Sequence, residues 1–277
     1  MFNLANIVTS LNLICGLISI VFCFSGQLDL AVYAIFAGAA FDFADGFVAR
    51  KLKLESAMGK QLDSLADLIS FGVAPGFLMF FMILIGIEQP LLIENFDRKA
   101  ANVHYHDYYT FNQFIHWVQA FYYDFQNNYN ASIKWLPFVA FMVPFFSLFR
   151  LAKFNTDDQQ TKNFRGIPTP LCALILCFFP LYFNENMMEW NRQNQLTYFV
   201  FDCYTLAGTC LILSISLVSN LPLMSMKLDG GDKKENLLKI IIILAALITI
   251  PLFQVMAIPI ILTLYFIIST YHYFTKI

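Results

Sequence analysis

Eight apolar runs divide the chain, at roughly 8–25, 29–50, 63–87, 135–152, 169–184, 197–219, 238–253 and 255–271. Each approaches the length of about 20 residues that crosses a bilayer core as a helix. Nothing else in the sequence constrains the fold as strongly. In hydrocarbon every backbone N–H and C=O must be paired within the protein, and a helix does this inside one segment. The runs therefore predict an all-α integral membrane protein with about eight transmembrane helices. Composition agrees: 58% of residues are hydrophobic and 13% charged, against about 25% charged in soluble domains. The net charge of −2 gives no reason to expect a nucleic-acid partner. The six cysteines (Cys15, Cys23, Cys172, Cys177, Cys203, Cys210) lie in apolar runs with no CxxC pair. They read as small hydrophobes, not as zinc ligands or a disulfide framework.

The first residues, MFNLANIVTS, lack the basic region and cleavage site of a signal peptide. They are expected to be retained as a short amphipathic lead-in to the first span. The last two runs meet near Pro251 and predict a tight hairpin. The whole chain, 1–277, is expected to form a single membrane domain. It would hold catalytic helices over about 8–87, an outer-loop insertion over about 88–134 and the remaining helices over about 135–277.

Bases set the expected orientation. With the N-terminus inside, the cytoplasmic segments hold Arg50, Lys51, Lys53, Lys60, Arg150, Lys153, Lys162, Arg165, Lys227, Lys233, Lys234, Lys239 and Lys276. The outer segments hold only Arg98, Lys99, Lys134 and Arg192. This asymmetry follows the positive-inside rule and predicts both termini in the cytoplasm. The long outer loop, Glu88 to Lys134, carries Trp117, His104, His106 and His116. No Cys or further acid stands at ligand spacing from its histidines, so they read as ordinary loop residues. Its run FNQFIHWVQAFYYDF looks amphipathic and suited to a membrane surface.

Against this apolar background, DFADGFVARKLKLESAMGKQLDSLAD (Asp42–Asp67) places four acids at the inner ends of two consecutive spans. Residues three and four apart share a helix face. Asp42, Asp45 and Ala49 therefore align on the second helix, and Gly59, Asp63 and Asp67 on the third. A helical hairpin turns these carboxylates toward one another. An ionised Asp at the bilayer centre costs about 2.5–3.5 kcal/mol on insertion scales, so the four need a partner. Hard oxygen ligands suit Mg²⁺ or Mn²⁺, and two such ions sharing carboxylates serve phosphoryl chemistry. Gly46 and Gly59 each cost about 1 kcal/mol in a helix relative to Ala. Gly46 and Ala49 leave a bare strip for a nucleotide, and Arg50 can fork onto a phosphate.

The order Asp42-xx-Asp45-Gly46-xx-Ala49-Arg50, eight residues, then Gly59-xxx-Asp63-xxx-Asp67 resembles in full the signature of the CDP-alcohol phosphotransferases. Within that family the chain is most similar to the membrane-bound phosphatidylserine synthases. The similarity runs through IVTSLNLICGLISI (Ile7–Ile20), DSLADLISFGVAPG (Asp63–Gly76), FRLAKFN (Phe149–Asn155), FRGIPTP (Phe164–Pro170) and, more loosely, NLPLMSMK (Asn220–Lys227). The outer loop 88–134 has no counterpart in the pattern. The resemblance implies the family's membrane fold and two divalent ions, with Asp42 and Asp63 binding both, Asp45 the first and Asp67 the second. It implies Asp67 as general base. It implies contacts to CDP from Gly46, Ala49, Arg50, Ser56 and Gly59. The segment Ala5–Thr9, with Ala5, Asn6 and Thr9, would help close the cytidine pocket, and Asn12 with it.

The resemblance further implies CDP-diacylglycerol and L-serine as substrates, CMP as leaving group, membrane lipids as surroundings and a homodimer. The location it implies is a bacterial inner membrane, with the site facing the cytoplasm. For the serine carboxylate, Arg150, Lys153 and Arg165 offer cations at the expected inner edge, and Asn155 a hydrogen bond. A free aspartate titrates near ~3.9, so a base at Asp67 needs burial or an acceptor hydroxyl already acidified by metal. Two alternatives stand beside this reading. One keeps the chemistry with glycerol 3-phosphate or inositol phosphate as acceptor. The other is a divalent-cation transporter. Transporters bind near the midplane on broken helices, whereas Asp42 lies only about 12 Å from Arg50 along a helix.

Overall fold

The computed structural model describes residues 3–54, 56–99, 118–119, 123, 133–156, 164–186, 199–219, 222–223 and 233–276. Helix α1 (Leu4–Phe24) starts where the Asn3 side chain accepts the Asn6 N–H at 2.8 Å. Such a cap satisfies one of the donors a helix start leaves unpaired. The lead-in and the first span are thus one unbroken helix. Gly26, at φ 75°, closes the turn into α2 (Leu28–Leu52), as a left-handed residue commonly does after a helix. The two helices form an antiparallel pair, and the Ser19 hydroxyl donates to the Ala31 carbonyl at 2.8 Å. Helix α2 ends with Lys53 in the left-handed region, and Leu54 N–H returns to the Ala49 carbonyl at 2.9 Å.

Ser56 then caps α3 (Ala57–Asp67), its hydroxyl accepting the Gly59 N–H at 3.0 Å. A π-helical segment (Leu68–Val73) follows directly, with the Ala74 N–H bonded to the Ile69 carbonyl five residues back. Helix α4 (Ala74–Lys99) continues from it. The third span therefore begins at Ala57, before the expected residue 63, and its helical rod continues to Lys99, past the expected end at 87 and into the stretch expected as outer loop, because the helix does not stop where the apolar run does. Farther along the chain, a 3₁₀ stretch (Ile133–Phe141), with Pro137 inside it, leads into α5 (Met142–Thr156). Then come α6 (Thr169–Asn186) and α7 (Cys203–Val218). Helix α7 starts at Cys203, not near 197, because the Asp202 carboxylate accepts the Tyr204 and Thr205 N–H groups at 3.1 and 3.0 Å. Two-residue strands β1 (Phe164–Arg165) and β2 (Pro222–Leu223) pair antiparallel. Helices α8 (Lys233–Phe253) and α9 (Ala257–Lys276) flank the short turn Gln254–Met256 and pack on each other, as the hairpin expectation had it.

Eight apolar helical segments are thus present among the described residues, in the expected order. Five candidate spans meet the length and apolarity of a bilayer crossing, α8 and α9 counting together as one. The α4 stretch is the centre of the bundle: Leu78, Met79, Ile83 and Leu84 are fully enclosed. Phe24 of α1 meets Phe77 and Phe81 of α4 at 5.4 and 5.3 Å between ring centres, and Phe80 stacks on Phe141 at 5.4 Å. Rings at such offsets attract beyond their buried area. The periphery is apolar too: Phe43 is 75% exposed and Ile212 68%, as lipid-facing positions require. All six cysteines are free thiols. The outer-loop histidines His104, His106 and His116, Trp117, and the run 111–125 apart from 118–119 and 123, lie outside the described residues.

In lipid, helices associate by close packing and not by escape from water, so small residues mark the tightest contacts. Gly16 of α1 lies against the π segment: a Cβ there would sit 2.6 Å from Ser70 Oγ and 2.8 Å from Ser70 Cα. A backbone atom cannot move aside as a side-chain tip can. Gly16→Ala is expected to destabilise the protein by about 1–3 kcal/mol, the usual cost of overpacking. Thermal unfolding in detergent measures it; an unchanged midpoint would show that α1 has slack the packing does not suggest.

Candidate active site

The four acids come from the two helices that the hairpin α2–turn–α3 brings side by side. Asp42, Asp45, Gly46 and Ala49 share the inward face of α2, and Gly59, Asp63 and Asp67 that of α3. One carboxylate oxygen from each of Asp42, Asp63 and Asp67 lies within 4.8 Å of the others. Asp45 is outside this close group, one turn along α2, buried beside the Thr9 hydroxyl. Asp45 Oδ2 and Asp63 Oδ1 are buried with no hydrogen-bond partner among the described residues. Buried carboxylate oxygens left unpaired are costly. Hard carboxylate oxygens converging from two helices, Asp63 Oδ1 among them unpartnered, are the donor set that Mg²⁺ or Mn²⁺ takes, so the residues present fit such a cation.

The bare strip is also there. Among the described residues, a Cβ on Gly46 would have only Arg50 Nη2 near it, at 4.0 Å, so the guanidinium of Arg50 folds back over open space. Arg50 itself is exposed and Ala49 half-buried. Helix α1 closes one side: Ala5, Asn6 and Thr9 are all buried. Asn6 Oδ1 would stand 3.3 Å from a Cβ on Gly59, so that glycine lets α1 and α3 approach. Ser56 is exposed, and its hydroxyl is engaged as the α3 cap.

The residues expected at the acceptor side divide. Arg150 of α5 is within electrostatic reach of Asp67. Its Nη1 donates to Thr169 Oγ1 at 3.0 Å, while its Nε is buried without a partner among the described residues. Asn155 donates from Nδ2 to Ser64 Oγ at 2.8 Å and accepts from Lys60 Nζ at its backbone carbonyl at 3.3 Å. It therefore ties α5 to α3 one residue from Asp63. Lys153 is exposed on α5. Arg165 lies in β1 opposite Pro222, and its side chain falls outside the described residues.

Three participants were not legible in the sequence. Thr169 and Ser64 are ordinary small polar residues whose partners lie far along the chain. Asn12, named in the sequence only beside the cytidine pocket, donates from Nδ2 to Asp67 Oδ1 at 3.1 Å, a contact the sequence did not suggest. The π segment beginning right after Asp67 had no periodicity signal, although single π turns in α-helices are frequent at functional sites.

Comparison with known proteins points the same way as this geometry. A family model described as CDP-alcohol phosphatidyltransferase matches residues 2–93, which hold all four acids. The chain is similar to the CDP-diacylglycerol–serine O-phosphatidyltransferase of Bacillus subtilis, 30% identical over 174 residues, 60% of this chain and 71% of that one. It is 25% identical to the Helicobacter pylori protein of the same name (strain ATCC 700392 / 26695) over 219 residues, 78% of this chain and 69% of the relative. The Saccharomyces cerevisiae protein so named is 45% identical over 85 residues, but there the match spans only 28% of this chain and 31% of the relative. With the signature acids gathered on two neighbouring helices and a relative matched over most of its length, the chain belongs to the CDP-alcohol phosphatidyltransferase family of membrane enzymes.

Proposed function

We propose that this enzyme transfers the phosphatidyl group of CDP-diacylglycerol to L-serine, giving phosphatidylserine and CMP. The observation that carries the reading is the convergence of Asp42, Asp63 and Asp67 within 4.8 Å beside the Gly46 strip. The names of the relatives support the choice of serine. In the proposal the CDP head lies along Gly46 and Ala49 under Arg50, with Ala5, Asn6, Thr9, Ser56 and Gly59 around the nucleotide. Asp42, Asp45, Asp63 and Asp67 would hold two divalent ions, Mg²⁺ or Mn²⁺, which supply neutralisation of the pyrophosphate oxygens. Asp67 takes the proton from the serine hydroxyl as that oxygen attacks the lipid-linked phosphorus. The new O–P bond forms as the bond to the CMP oxygen breaks, and the departing CMP carries the electron pair. Arg50 meets the charge that develops on it.

Arg150 is proposed to bind the serine carboxylate, its Thr169 contact fixing the guanidinium plane. Arg150→Lys keeps the charge but loses the two-pronged geometry. It is expected to raise the KM for serine about tenfold, while the KM for CDP-diacylglycerol stays within about twofold. Initial rates with each substrate varied in turn check this. An unchanged serine KM removes Arg150 from the acceptor pocket. Lys153, Asn155 and Arg165 remain proposed acceptor residues of lesser reach. The proposal extends to a homodimer, one membrane domain per chain, and a site facing the cytoplasm of a bacterial inner membrane. The distribution of bases in the sequence supports that orientation.

The decisive assay supplies purified protein, Mn²⁺ or Mg²⁺, CDP-diacylglycerol and one alcohol at a time, and counts CMP. Release with serine alone supports the proposal. Release with glycerol 3-phosphate or inositol phosphate instead overturns the acceptor while leaving the chemistry. Membership of an enzyme family leaves the transport reading without support.

A further inference from the structure

Asn12 is completely enclosed, yet it is an amide where an apolar residue would pack more cheaply. Its Nδ2 donates to Asp67 Oδ1 at 3.1 Å, across 55 residues of chain. Its backbone carbonyl accepts from Ser70 Oγ at 2.8 Å. One residue of α1 therefore grips the third rod on both sides of the point where it turns from α to π. Room for the amide comes from α2: a Cβ on Gly38 would lie 3.0 Å from Asn12 Oδ1. That oxygen has no hydrogen-bond partner among the described residues. A buried unmet acceptor destabilises a fold, so the amide is not explained by packing. The orientation follows from charge: with the amide reversed, its oxygen would face the carboxylate lone pairs.

We infer that Asn12 is a positioning residue for the transfer reaction: by holding Asp67 Oδ1 it fixes the plane in which the carboxylate meets the acceptor hydroxyl. The inference rests on the reading of Asp67 as the base and adds the residue that aims it. It also moves Asn12 out of the cytidine pocket and into the support of the acceptor side. Supporting groups of this kind typically change activity by about 10–100-fold when removed.

The test uses Asn12→Leu, close in shape and without a donor. Asn12→Ala, smaller and also without that donor, carries the same expectation should the leucine variant fail to fold. Each is assayed beside Asp67→Asn and the corresponding double variant, in the full-length protein with Mn²⁺, CDP-diacylglycerol and serine. The expected result is a kcat lower by about 10–100-fold with the KM for CDP-diacylglycerol and the affinity for CMP within about twofold. In the double variant the loss is expected to equal that of Asp67→Asn alone, because a residue that acts through Asp67 has nothing further to remove. A loss that multiplies in the double variant, a full-rate Asn12→Leu, or a collapse of CMP affinity overturns the inference alone. Full turnover in Asp67→Asn overturns the assignment of the base, and the inference with it.

Discussion

Asp67→Asn leaves a folded protein that still binds CMP, and its kcat falls by about 10²–10⁴-fold, the usual contribution of a positioned acid–base group. The substitution is well suited to the site. Asparagine keeps an Oδ1 that can accept from Asn12 Nδ2, now at 3.1 Å, so the α1–α3 contact survives. What is lost is the capacity to take a proton, together with one negative charge. The nucleotide strip at Gly46 belongs to another helix and should be unaffected. Measuring CMP release together with CMP affinity separates the two. An activity within a few-fold of the parent would remove Asp67 as the base; a parallel loss of CMP affinity would make it a ligand-holding group first.

The second large effect concerns the cation. Without a counter-ion, oxygens of three carboxylates crowd within 4.8 Å. Two unit charges at such a distance repel by on the order of 3 kcal/mol at an effective dielectric of about 20. In EDTA, Asp63→Asn is therefore expected to melt no lower than the parent, since it removes one of the crowded charges. With Mn²⁺ the order reverses. A cation at about 100 times its dissociation constant stabilises the parent by about 2.7 kcal/mol, and the variant loses most of that gain along with its turnover. Thermal midpoints of both proteins, with EDTA and with Mn²⁺, give the four numbers needed. If Mn²⁺ raises the parent and the variant equally, Asp63 does not hold the ion.

The acids were legible in the sequence because their spacing is local. Asp42 and Asp45, and Asp63 and Asp67, fall on one face by helical geometry alone, and the short basic turn between the helices leaves little choice about how the faces meet. The open surface over Gly46 could be read in the same way. Contacts between distant segments could not. Nothing within α1 distinguishes Asn12 from its polar neighbours Asn6 and Thr9, and only the packing of α1 against α3 shows that Asn12 reaches Asp67 while Asn6 faces Gly59. Arg150 was drawn from its unusual place in an apolar run, but its partner Thr169 sits at the start of another helix. The later start of the helix in the sixth apolar run was not legible because Asp202 acts through its side-chain oxygen at that helix start, a role hydropathy does not weigh.

The wide turn at Leu68–Val73 sets the angular phase between the two halves of the third rod. Each residue of an α-helix advances about 100° around its axis. Were the same residues wound as a regular α-helix, the Asp63 and Asp67 face would swing by about that angle relative to the enclosed stretch from Leu78 to Leu84. The acids and the bundle's packing surface are thus keyed to each other by a single supernumerary position.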